Sequence, residues 1–216
     1  MKPILPIVLL FLAACGGDAG APANAAREPV QAAVPPAPPV PHSWRANPAA
    51  SRIALSNDTL TVETGTHAIL WDETAPELAP PYEVSATLRK RSGRLHEGIG
   101  LLFGGTGLEG PEAGQVYTYF LVRGDGSFLV KRRQGAETPV VVDWTRDPAI
   151  RRDAEGGGRP NELRVAVGEA EAVFFINGRE VTRIPSADVA VRGRAGLRAA
   201  HGVQVEVSGF HAAPSR

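Results

Sequence analysis

In the stretch YTYFLVRGDGSFLVKRR, Tyr117 to Arg133, tyrosines, arginines and a lysine alternate with apolar residues on either side of a Gly-Asp-Gly turn. Flat aromatic rings offer apolar C–H contact to a sugar face, and Arg and Lys donate hydrogen bonds to hydroxyls. The register of the hairpin decides which residues share a face. A two-residue Asp125-Gly126 turn would pair Arg123 with Phe128 and Phe120 with Lys131, mixing charged and apolar groups on both faces. A three-residue loop Gly124-Asp125-Gly126, with Gly126 left-handed, pairs Val122 with Phe128 and Phe120 with Val130. That leaves one face apolar at its centre, and a buried face is what specifies register. The opposite face then carries Tyr117, Tyr119, Leu121, Arg123, Leu129, Lys131 and Arg133, with Tyr119 across from Lys131. Tyr117, Tyr119, Arg123 and Lys131 are the expected ligand-binding set. The competing reading is a solvated strand face with cross-strand cation–π pairs worth about 0.5–1 kcal/mol each.

Other residues capable of chemistry are isolated. Glu97, beside His96, stands at the entrance of a strand that sends Ile99, Leu101 and Phe103 to the core. Gly98 and Gly100 are left opposite, where missing side chains would make a hollow. Glu97 is a ligand-binding candidate there, against a structural hydrogen bond at a strand end. Trp71, followed by Asp72, is a candidate stacking platform, although Trp44, Trp71 and Trp144 also suit core or sheet-edge packing. Gly105-Thr106-Gly107-Leu108-Glu109-Gly110 has the spacing of a dinucleotide fingerprint, but no helix follows to bind a pyrophosphate. A flexible loop overhanging the tyrosine face is expected instead. His42, His67, His96, His201 and His211 show no ligand spacing. Asp143, Asp147 and Asp153 are the nearest approach to a calcium set, with Arg146, Arg151 and Arg152 equally placed to pair them; calcium is possible but not assignable, and no other cofactor is implied. No Gly-x-Ser-x-Gly elbow occurs, so nucleophilic catalysis has no visible carrier.

The elements that must position these residues are strands. Short alternating segments divided by Gly, Pro, Asn and Asp predict strands near Arg52–Leu55, Thr59–Glu63, His67–Trp71, Glu83–Arg89, Gly98–Phe103, Val116–Arg123 and Ser127–Arg133. More follow near Pro139–Asp143, Glu162–Val167, Ala172–Ile176, Glu180–Ile184, Ala195–Ala199 and Val203–Phe210. Asn177-Gly178 sits where a two-residue hairpin needs positive φ. No window keeps a helical period, and Asp143–Glu155 holds at most one short turn. The pattern predicts an all-β, two-sheet antiparallel jelly-roll sandwich.

Of 216 residues, 43% are hydrophobic, and 23 basic side chains balance 23 acidic ones. That balance argues against a nucleic-acid partner, which an electrostatic binder would need a distinctly basic surface to hold. The chain opens MKPILPIVLLFLAAC, a basic Lys2 and a short apolar run of secretory form, and Cys15 is its single cysteine. Gly16 to His42 is Ala- and Pro-rich with almost no large apolar residue, the composition of an extended tether. The expected organisation is a leader over 1–14, a linker over 15–42 and a sandwich over 43–212.

Two resemblances sharpen this. Leu12-Ala13-Ala14-Cys15 resembles the lipobox of bacterial lipoproteins, which implies cleavage before Cys15 and its acylation, a membrane anchor in the cell envelope. Gly16 after the cysteine favours the outer membrane if the cell has one. The Tyr-rich strand with RGDGSF, the FFINGREV hairpin and AGLRAAHGVQVEVSGF resemble the concanavalin-A-like lectin/glucanase superfamily, closest to the 3-keto-disaccharide-hydrolase and laminin-G-like type, over about Trp44 to His211. The resemblance implies a curved sheet whose hollow carries ligands, and the tyrosine face would belong to it. Glucanases of the superfamily place their carboxylates in a Glu-x-Asp-x-Glu strand, and no Glu-x-Asp occurs in this chain. The expectation is therefore a non-catalytic module binding a glycan or an envelope partner. A glycoside-cleaving enzyme and a purely structural presentation domain are the alternatives.

Overall fold

The computed structural model describes residues 43–48, 50–56, 58–154 and 157–215, so the expected leader, Cys15 and the expected linker to His42 lie outside the described residues. In chain order the strands are β1 Trp44–Ala46, β2 Ala50–Ser56, β3 Thr59–Thr64, β4 Ala68–Asp72, β5 Tyr82–Ser92, β6 Gly98–Thr106 and β7 Val116–Arg123. They continue as β8 Ser127–Gln134, β9 Val140–Arg146, β10 Asn161–Val167, β11 Glu171–Ile176, β12 Arg179–Pro185, β13 Arg194–Ala199 and β14 Gln204–Pro214. Two antiparallel seven-stranded sheets result, ordered β1-β4-β13-β6-β7-β8-β9 and β12-β11-β10-β5-β14-β3-β2. Helix among the described residues is confined to single 3-10 turns at Glu112–Gly114 and Ser186–Asp188. The jelly-roll sandwich read from the sequence is the fold observed.

Alternation builds the core between the sheets. β5 turns Tyr82, Val84, Ala86 and Leu88 inward, and β11 turns Ala172, Phe174 and Ile176 inward. They meet Leu101, Phe103, Phe120, Val122, Phe128 and Val130 of the first sheet, with Phe174 5.2 Å from Phe120 and 5.9 Å from Phe103 between ring centroids. The hairpin register is the expected one: Val122 faces Phe128, Phe120 faces Val130, Tyr119 faces Lys131 and Tyr117 faces Arg133. Gly126 has φ 88°, the left-handed value that the three-residue loop demands. Asn177 and Gly178, at φ 50° and 81°, close the β11–β12 hairpin as the Asn-Gly pair predicts.

The first sheet differs from a one-sided strand pattern. β4 is buried along its whole length, and β6 and β7 nearly so. A strand covered on both faces reads as a continuous apolar run rather than an alternation, and AILW and GLLF are such runs. β1 was not apparent in the sequence. Three residues are too few to show a period, and Trp44 is fixed from afar by the edge-on ring of Phe210 at 5.0 Å.

Candidate functional site

The outer face of the first sheet carries a second apolar cluster: Ile69 and Trp71 of β4, Leu102 of β6, Tyr117, Tyr119 and Leu121 of β7, Leu129 of β8, and Leu108 from the β6–β7 connection. Tyr117 and Tyr119 are 1% and 4% exposed. They are not the solvent-facing rings expected; the strand register holds and the openness of the face does not. Leu108 is one cause. The connection over 107–115 turns at Gly107, whose φ of 65° a side chain would strain. Gln115 laces it through hydrogen bonds from Nε2 to the Leu108 and Gly110 carbonyls, at 3.3 and 3.0 Å. This is the loop expected to overhang the tyrosine face.

Glu112 fastens that loop to both sides of the face. Its Oε1 accepts from His67 Nε2 at 2.7 Å, and its Oε2 lies 3.3 Å from Arg133 Nη1. His67 precedes β4 and Arg133 is the penultimate residue of β8, so Glu112 sits over the strands between them. A carboxylate can only accept, so the Nε2 of His67 carries the proton. Burial first, and then the nearby Arg198 charge, hold the His67 imidazole below its ordinary value. The hydrogen bond from His67 holds the Glu112 carboxyl below its own.

Arg198 of β13 is the residue that sequence reading missed. It stands beside Gly100 of β6, with Leu121 of β7 on that glycine's other side. The guanidinium crosses β6, lies 4.4 Å from the Tyr119 ring centroid and donates from Nη1 to Tyr117 Oη at 2.9 Å. Arg133 Nε donates to the same oxygen at 3.1 Å. Alternation in GLRAA, with Leu197 and Ala199 in the core, was the available signal. Lys131, half-buried across from Tyr119, has no carboxylate within ion-pair distance among the described residues, and neither has Arg198. Arg123 is otherwise engaged, paired with Asp125 at 3.1 Å and stacked 4.0 Å from the Trp144 ring.

The hollow expected at Gly98 and Gly100 is filled. A Cβ on Gly98 would meet Trp144 at 3.1 Å, and one on Gly100 would lie 1.8 Å from the Phe120 carbonyl oxygen. Glu97 therefore opens onto no cavity; its carboxylate sits 3.5 Å from both His96 Nε2 and His201 Nδ1. The His201 ring is in turn 5.8 Å from His67, edge to face. Trp71 is 3% exposed and is no stacking platform. One flank borders a shallow depression of about 270 Å³ with Arg45, Glu73 and Glu109, and its indole N–H has no acceptor among the described residues.

The three aspartates considered for calcium do not converge. Asp143 and Asp147 each accept a local backbone N–H, from Trp144 at 2.8 Å and Ala149 at 2.7 Å. Asp153 pairs with Lys90 at 2.9 Å, and the Lys90 ammonium also donates to the carbonyls of Arg94, Leu95 and Glu97 at 2.9, 3.3 and 3.4 Å. An ammonium thus fills a cage of four oxygens. Among the described residues no group of three or more His, Cys, Asp or Glu is arranged to hold a metal ion.

No family model and no curated protein matches this chain. Solved structures do match in fold. A carbohydrate-binding module, CBM66 from Bacillus subtilis, superposes with a TM-score of 0.62 at 9% identity, covering 78% of this chain and 94% of that one. The carbohydrate recognition domain of Emp47p gives 0.56 at 14% identity, covering 82% and 90%. The exoplasmic domain of VIP36, in a form bound to Ca2+ and Man3GlcNAc, gives 0.56 at 11% identity, covering 80% and 84%.

Proposed function

We propose that this chain is a carbohydrate-binding module without catalytic activity, held on a bacterial cell envelope by a lipid on Cys15. The observation that carries the binding reading is the face of Arg198, 4.4 Å from the Tyr119 ring, and Lys131, across from Tyr119 in register, two cations with no carboxylate within ion-pair distance among the described residues. Sugar hydroxyls can accept from both, and the partly exposed Trp144 ring at the Gly98 end offers apolar C–H contact. The likeness in fold to CBM66 and to the Emp47p and VIP36 domains supports the same reading. The test is a glycan array probed with the detergent-solubilised full chain, with and without calcium. Reproducible binding that Arg198→Gln abolishes supports the module; silence across the array favours a structural presentation domain.

The anchor rests on Leu12-Ala13-Ala14-Cys15 and is tested separately. Cys15→Ser should release the protein from the membrane fraction, and a variant that still sediments with membranes overturns it.

A second reading, a glycoside-cleaving enzyme, is favoured by one observation: Glu97 and Glu112 stand at the two ends of a run through His201 and His67. Positioned acid–base groups contribute about 10²–10⁴-fold in rate. Oligosaccharide turnover that falls by that factor in Glu97→Gln, with the fold intact, would establish it.

A further inference from the structure

We propose that the glycan taken by this face is acidic, and that Glu112 is its internal stand-in: a sugar carboxylate replaces the Glu112 carboxylate between His67, Arg133 and Arg198. The inference deepens the carbohydrate-binding reading and rests on it. Its ground is the charge balance of the face. The whole chain is neutral, 23 basic against 23 acidic groups, yet among the described residues Glu112 alone brings a carboxylate within ion-pair distance of Arg133, Arg198 or Lys131. The neighbouring Arg123 is already paired with Asp125, and His96 and His201 each lie 3.5 Å from the Glu97 carboxylate. Arg133 is 6% exposed at its side chain, and a guanidinium so enclosed requires an anion or a set of acceptors. It has Glu112, the Gly135 carbonyl and Tyr117 Oη.

The carboxylate that serves it is poorly placed to be permanent. Glu112 is 52% exposed at its side chain and is carried by a loop, whereas Arg133 and Tyr117 are held by the sheet. An exposed carboxylate over a cationic seat held by the sheet is open to exchange for another. A second observation points the same way. Tyr117 Oη accepts from both Arg133 and Arg198, while its own buried hydroxyl proton has no acceptor among the described residues. A ligand oxygen between the two guanidinium groups would accept that proton. The fit is to a carboxylate, because a carboxylate already occupies the seat.

The experiment is calorimetric titration of the detergent-solubilised full chain with trisaccharides of galacturonate, glucuronate and mannuronate. Their methyl esters and a sulfated neutral trisaccharide are run beside them. At least one uronate should bind 10-fold or more tightly than its methyl ester, and the difference should shrink as salt rises. Glu112→Gln should strengthen uronate binding several-fold, since it removes the competing carboxylate. Arg198→Gln should weaken uronate binding 10-fold or more and ester binding far less. Lys131→Gln, on a half-buried side chain with no ion-pair partner, should repeat that selective loss in milder form if Arg198→Gln does not fold. Equal affinity for uronate and ester overturns the inference and leaves the carbohydrate reading standing. Preference for the sulfated sugar overturns the carboxylate assignment. Failure of every glycan here and on the array overturns both readings.

Discussion

The guanidinium of Arg198 sits 4.4 Å from the ring centroid of Tyr119, and this contact spans β6 because Gly100 between them has no side chain. Tyr119 is consequently part of a buried layer. Tyr119→Ala is expected to cost about 3–5 kcal/mol, the range for buried aromatic truncation. Phe120→Ala, one residue along and facing the inter-sheet core, should cost a similar amount. Urea unfolding of the two variants checks this. A Tyr119→Ala cost of about 1 kcal/mol would mean the ring is a solvated cross-strand partner after all.

Gly98 and Gly100 should respond very differently to alanine. At Gly98 the added methyl meets the Trp144 and Leu121 side chains at 3.1 and 3.2 Å, and both can shift. The cost should be within the roughly 1–3 kcal/mol of overpacking. At Gly100 the methyl would lie 1.8 Å from the Phe120 carbonyl oxygen, so backbone must move and the β6–β7 ladder with it. Gly100→Ala should fail to give a cooperative thermal transition, whereas Gly98→Ala should keep one.

Burial of His67 beside the Arg198 charge should make the fold weaken in acid. The His67 pKa is lowered in the fold, so the unfolded chain takes up the proton first. The stability that His67 confers is full above its ordinary 6.5 and is lost as pH falls through the lowered folded value. Arg198, Arg133, Glu112 and His201 are the charged or titratable groups facing it. Glu112, also lowered, loses its contribution only below its ordinary 4.5, a separate window. Wild type should therefore lose thermal stability relative to His67→Gln as pH falls below 6.5. Parallel pH profiles for the two proteins would show that His67 is not the sensor.

The Lys90–Asp153 pair is buried, with side chains 5% and 16% exposed. Removing one partner of a buried pair leaves an uncompensated charge and typically costs about 3–5 kcal/mol. Asp153→Ala should fall in that range. The double variant Lys90→Met/Asp153→Ala should be less damaging than Asp153→Ala alone, as a double-mutant cycle in urea would read. A double-variant loss equal to the sum of the Lys90→Met and Asp153→Ala losses would mean the pair is not coupled.

Much of the fold was legible because local patterns and global packing agree. Every described strand except β1 appears as an apolar alternation or run, and the RGDGSF register follows from a single condition, that one face be wholly apolar. The site was less legible because it depends on a loop. Whether the Tyr119 face meets water is decided by Leu108 and Glu112, and nothing in GTGLEGPEAG shows the direction in which that segment folds. Two signals were present without being decisive. The unbroken AILW of β4 marks a strand covered on both faces, and alternation in GLRAA places Arg198 opposite Leu197 and Ala199. Long-range pairs such as Glu112 with His67, 45 residues apart, leave no trace in a single sequence.

The ammonium of Lys90, ringed by three carbonyl oxygens and the Asp153 carboxylate, has one more consequence. An ion bound from solution comes and goes with its concentration, and the loops it organises loosen whenever it is scarce. A cation joined to the chain by its own four-carbon stem cannot dissociate, be chelated or be outcompeted. The corner where the β5–β6 connection meets the segment after β9 is therefore closed by a charge that the ribosome installed, and its order is indifferent to the mineral content of the surrounding solution.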